Sequence, residues 1–176
     1  MSIRFNKGKT NIIEISQPQS RDVKIIPIEE VNIINVAINL DNPNCNESVD
    51  FLDSEARKVN ALVHYLLINQ AKTPIPSWCL RKNMTVLNNK IDFSADSFLS
   101  TKVKSFIDEK CELYLSVSNE YCPIIEKIAS LSNASFKIGR EFTKDNPYDL
   151  SLKYNEWERN DELAYEYIAN LYILTH

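Results

Sequence analysis

Groups able to do chemistry are few in this chain of 176 residues. There are two histidines, His64 and the terminal His176, and four cysteines, Cys45, Cys79, Cys111 and Cys122. A nucleophile generally needs a base beside it, and the one pairing suggested by sequence is Cys79 with His64. They would meet if the turn Thr73-Pro74-Ile75-Pro76 folded back. Nothing near Cys79 in sequence would lower its pKa or orient the imidazole. A histidine at the polar boundary of a helix is the plainer reading of His64. No two cysteines form a C-x-x-C pair, so a zinc site built from local knuckles is not expected. The two glycines, Gly8 and Gly139, cannot make G-x-G-x-x-G or G-x-x-x-x-G-K-[ST]. Asp41, Asp50 and Asp53 lack the spacing and the glycine of a calcium loop. The reading is no catalytic residue, no metal, no cofactor and no enzyme.

Carboxylates are the more informative polar groups. Asp41, Glu47, Asp50, Asp53 and Glu55 form a stretch without a base. Glu156, Glu158, Asp161, Glu162 and Glu166 form a second, with one arginine among them. On the expected last helix, Glu158, Glu162, Tyr165, Glu166, Ala169 and Tyr172 lie roughly opposite the stripe Leu163/Tyr167/Leu171. Tyrosines among acids suit a basic protein partner. A solvated face that keeps the protein soluble is the other reading of the same residues. Trp157 in the first turn of that helix is either a structural staple or an exposed anchor. The expected partner-binding set is Trp157, Glu158, Asp161, Glu162, Tyr165 and Glu166.

The elements that would carry these groups read mainly as helices. Ile28–Leu40 reads as a helix opened by Pro27, with Glu29 and Glu30 in its first turn. Its β-branched residues keep a strand reading open. Ser54–Gln70, with Ala56, Val59, Leu62, Val63, Leu66 and Leu67 on one side, reads as the clearest amphipathic helix. Further helices are expected over Thr101–Leu115, from Pro123 to Leu131, and over Glu156–Leu174. Residues 1–26 look extended, with β-branched runs around Gln17-Pro18-Gln19-Ser20 that could pair as a hairpin. The fold class expected is mainly α, with α+β possible: a single domain, an irregular multi-helix bundle with a small N-terminal β-hairpin.

Composition bounds the rest. A hydrophobic share of 44% and a charged share of 25% are those of a globular chain. The net charge of −4 argues against nucleic acid, whose binders carry a basic patch. The only basic stretch is Arg4, Lys7 and Lys9, read as a solvated arm or a phosphate contact. No run approaches the ~18 apolar residues of a membrane span. The N-terminus lacks an apolar signal region, so cytoplasmic placement and reduced, mostly buried cysteines are expected.

Two segments resemble small uncharacterised bacterial proteins that accompany toxin or mobile-element modules. One is Ser54–Trp78, which ends in Pro-Ile-Pro-Ser-Trp. The other is Ala134–Leu150, which is similar to a Pro-x-x-Phe-x-x-Arg stretch but has Ser132-Asn133-Ala134 where the proline would stand. The resemblance carries no functional residue across. With the acid clusters, it implies a non-catalytic toxin-neutralising protein, an immunity protein or antitoxin that binds a basic toxin nuclease domain. A phage or mobile-element adaptor for a host protein is the alternative, followed by an enzyme whose site is not recognisable.

Overall fold

The computed structural model describes residues 3–5, 11–13, 21–71, 73–88, 101–153 and 160–176. The architecture is α/β and corrects the expected helical bundle. Six strands form one wholly parallel sheet in the order β5-β4-β3-β6-β7-β8. They are β3 (Ile33–Asn39), β4 (Leu62–Asn69), β5 (Met84–Asn88), β6 (Leu113–Val117), β7 (Phe136–Arg140) and β8 (Leu150–Leu152). The helices are α1 (Cys45–Val59), α2 (Thr101–Asp108), α3 (Pro123–Leu131) and α4 (Asn160–Thr175). A separate antiparallel hairpin pairs β1 (Ile3–Phe5) with β2 (Asn11–Ile13). An N-terminal hairpin is thus present, but not across the proline turn, and residues 14–20 lie outside the described residues.

The errors in the helical reading have one cause. A strand covered on both faces is a continuous apolar run, and such a run does not reveal its period. Of the expected helix Ile28–Leu40, only Ile28–Glu30 turns, as one 3-10 turn, and the β-branched run after it is the central strand β3. In the expected helix Ser54–Gln70, α1 stops at Val59 and β4 begins at Leu62. Asn60 makes the stop, with φ at 59° and its N–H on the carbonyls of Ala56 and Arg57. Asparagine tolerates this left-handed geometry better than most residues and so serves as a helix terminator. Likewise α2 ends at Asp108, and Leu113 opens β6 rather than continuing a helix. The helix Pro123–Leu131 stands as expected, with proline at its first position.

Counting from β3, the strand order is 3-2-1-4-5-6, that of a doubly wound sheet. From β3 the chain grows outward in one direction through α1 to β4, and later in the other through α3 from β6 to β7. Crossovers of one hand therefore place their helices on opposite faces. One core cluster, with α1 and α4, contains Ile34, Val36, Ile38, Leu52, Tyr65, Leu67, Leu115, Ile138, Tyr167 and Leu171. The other, with α2 and α3, contains Ala37, Leu66, Ile68, Phe106, Tyr114, Ile125 and Ile128. The four cysteines are buried and form no disulfide. Among the described residues, no helix is long and apolar enough to cross a membrane.

Candidate functional site

Ligands of doubly wound sheets generally sit at the carboxyl ends of the strands, where the winding direction reverses. Here that point lies between β3 and β6, and the chain fills it with its own side chains. Asn42, 7% exposed, accepts hydrogen bonds from Ser118 Oγ and the Asn119 N–H, both at 3.1 Å. The Cys45 thiol donates to the carbonyls of Asn39 and Asn42 at 3.2 and 3.0 Å. The turn from β3 into α1 has no glycine, and Asn44 takes the left-handed conformation at φ 59°. Glu47 lies in the first turn of α1, where a pyrophosphate would want positive potential. These residues do not fit a dinucleotide.

The Cys79–His64 pairing is not formed. Neighbouring strand residues face opposite sides of a sheet. Cys79 packs in the α1/α4 core, in the cluster that holds Tyr65, while the His64 ring turns to the other face and meets Glu109 at 2.7 Å. Burial raises the Cys79 thiol pKa, which keeps the sulfur protonated. The first acid cluster is mostly engaged within the molecule. Asp41 accepts the Ala71 N–H on both oxygens at 3.0 Å, and Asp53 takes the Tyr65 hydroxyl at 2.7 Å and Arg81 at 2.9 Å. Arg81 also reaches Asp50, and Lys58 pairs with Glu55 at 2.5 Å. Among the described residues, no group of His, Cys, Asp and Glu could hold a metal ion.

A buried polar cluster lies under α3. Tyr148 donates to Glu126 at 2.5 Å and shares a 2.8 Å hydrogen bond with Ser116 Oγ. Burial pushes the Glu126 carboxyl up to about 7, and the Tyr148 hydrogen bond opposes that rise. Gly139 is needed beneath it, because a Cβ there would run into the Tyr148 ring. Lys137, 2% exposed, donates to the Ala129 carbonyl at 2.6 Å, and burial lowers its ammonium pKa to about 8. These contacts tie β6, β7 and α3 together and leave Glu126 only 9% exposed.

The outer side of α4 is different in kind. Its inner stripe Leu163, Ala164, Tyr167, Ile168 and Leu171 is buried, at the spacing of one helix face. Tyr167 anchors it by donating to the Ser116 carbonyl at 2.9 Å. On the outer stripe, Tyr165 is 58% exposed and Ile173 76%, with Tyr172 also open. Two other elements complete the patch. Phe51 of α1 packs against Tyr165, ring centroids 5.8 Å apart. Glu29 of the 3-10 turn lies within electrostatic reach of the Tyr172 hydroxyl, whose pKa is raised first by partial burial and then by Glu29 and Glu55. Glu162 and Glu166 stand on the same stripe.

Of the expected partner-binding residues, Glu162, Tyr165 and Glu166 thus share one surface. Trp157 and Glu158 lie outside the described residues, as does the Asp161 side chain. The Arg4/Lys7/Lys9 arm also falls there, apart from the backbone of Arg4 in β1. Sequence reading missed Glu29 and Phe51, which sit on other elements and carry no local signal. In comparison with known proteins, residues 13–174 match the model of a family of unknown function, DUF6913. No curated protein matches the chain. No solved structure matches it either.

Proposed function

The chain belongs to the DUF6913 family, whose function is unknown, and from that premise we propose that it works by binding a basic protein partner through the outer face of α4. The observation that carries this reading is the exposed row Tyr165, Tyr172 and Ile173, bordered by carboxylates from three elements. Exposed aromatic rings give a contact its affinity when water leaves them, and a rim of one charge sets partner sign and approach rate. Tyr165 is already braced by Phe51, so less side-chain freedom is lost when a partner covers it.

A toxin-neutralising protein acting on a basic nuclease domain is the finer form of this reading. It is supported by the sign of the surface and by the resemblance of Ala134–Leu150. Cytoplasmic placement goes with it, since four buried cysteines in no disulfide suit a reducing compartment. The test is co-purification from the native host with wild-type protein and a Glu162→Lys/Glu166→Lys variant. Affinity for the captured partner should fall at least about tenfold in the variant, and wild-type affinity should fall as salt rises. Unchanged affinity across the double reversal would remove this surface as the binding face.

A further inference from the structure

On the other face of the sheet, an open cleft of about 460 Å³ lies between α2 and the amino-terminal halves of β4 and β5. One wall is a single stripe of α2, Lys102, Ser105 and Phe106, continued by Glu109 just past its end. His64 of β4, Thr85 of β5 and Lys82 before β5 line the rest. The cleft owes its chemistry to the His64–Glu109 pair. Glu109 holds the ring through Nδ1 at 2.7 Å, which fixes its orientation and leaves Nε2 without a protein partner among the described residues. A histidine held this way by a carboxylate is a directed hydrogen-bonding group rather than a free rotor.

The charge balance of the cleft is positive. Glu109 is spent on His64, while neither Lys82 nor Lys102 has an ion-pair partner among the described residues. Phe106, mostly buried in the core below, forms part of the cleft's floor, and Thr85 and Ser105 add hydroxyls. At the same register as His64 in the neighbouring strand stands Asn35, 0% exposed. Its amide donates to the Phe106 carbonyl at 3.2 Å, and its Oδ1 has no partner. A buried unpaired acceptor beside a polar cleft is uncommon, and it shows a region not optimised for burial alone.

We propose that this cleft binds a small molecule carrying a tetrahedral oxyanion, a phosphate or sulfate ester. Lys82 and Lys102 neutralise the anion, the Nε2 of His64 donates to it when the ring is protonated, and the apolar body lies on the lysine stems and the exposed rim of Phe106. No arginine stands among the described lining residues, so recognition rests on point charges and one directed bond, which suits a small, weakly held ligand. The site is independent of the α4 surface, which lies across the sheet.

The experiment is an NMR titration of the His64 ring proton with phenyl phosphate, phenyl sulfate and inorganic phosphate. Phenyl phosphate or phenyl sulfate should shift that resonance saturably, with a Kd on the order of 1 mM. Preference between the two esters identifies the source of the anion, and tighter binding than inorganic phosphate shows that the body is read. Lys82→Ala/Lys102→Ala should weaken binding about tenfold or more and His64→Gln severalfold, while Arg57→Ala, in the neighbouring hollow, leaves it unchanged. Circular dichroism of the same variants confirms that they fold. No saturable shift with either ester, or equal affinity in the double lysine variant, would overturn the proposal.

Discussion

Side chains that β3, β4, β6 and β7 send toward α1 and α4 are hydrocarbon and ring: Ile34, Val36, Ile38, Tyr65, Leu67, Leu115 and Ile138. Toward α2 and α3 the same strands send Asn35, His64, Tyr114, Ser116 and Lys137 among their apolar residues. The backbone is shared, so the two faces differ only in what they bury. The first face gains stability from area removed from water, about 25 cal/mol per Å², with little dependence on pH. The second takes charged and polar groups out of water and recovers only part of that cost in hydrogen bonds. Its ionisable groups are displaced as a result: the Glu126 carboxyl sits at about 7 and the Lys137 ammonium at about 8. One face holds most of the hydrocarbon, while the other carries the buried carboxyl, the buried ammonium and the cleft.

The largest effect should come from the apolar face. Leu67→Ala empties a fully buried site and should cost about 3–4 kcal/mol in denaturant unfolding, with the same loss at pH 5 and pH 8. A loss that varied strongly with pH would mean that the faces are not separable. On the polar face, Gly139→Ala drives a methyl into the Tyr148 ring and should cost about 2–3 kcal/mol. It should also disturb the Tyr148–Glu126 contact, so its pH profile should change together with its stability. A change in stability with an untouched pH profile would separate the ring from the carboxyl.

The pH profile itself follows from two groups. The native Glu126 carboxyl keeps its proton between its ordinary 4.5 and about 7, so its stabilisation is present at low pH and lost as pH rises through 7. Native Lys137 gives up its proton at about 8 instead of 10.5, so its penalty is full below 8 and is relieved as pH rises toward 10.5. Together they place their least favourable window between 7 and 8. Glu126→Gln should flatten the fall between pH 5 and pH 8 by on the order of 1–2 kcal/mol and leave the lysine limb alone. Identical slopes in wild type and variant, measured by urea unfolding at each pH, would contradict the assignment. The smallest effect belongs to the surface: Glu162→Lys should move stability by no more than about 0.5 kcal/mol while it weakens partner capture.

Several features followed from sequence order alone. Proline at Pro123 set the start of α3, and the spacing of Leu163, Tyr167 and Leu171 set the buried side of α4. The lack of a glycine-rich loop was legible in the two glycines, and spacings of three and four from Glu162 placed Tyr165 and Glu166 beside it. These are local matters, decided by dihedral preference and by a period of 3.6 residues. Whether Ile33–Asn39 and Leu62–Asn69 are strands was not local. Their backbone hydrogen bonds go to neighbours distant in the chain, and an apolar run buried on two sides reads the same in either conformation. That pairing also turned His64 toward Glu109 and away from Cys79, and it brought Glu29 and Phe51 up to α4. Tertiary structure alone decided these contacts, because a parallel sheet is closed by segments that the chain order keeps apart.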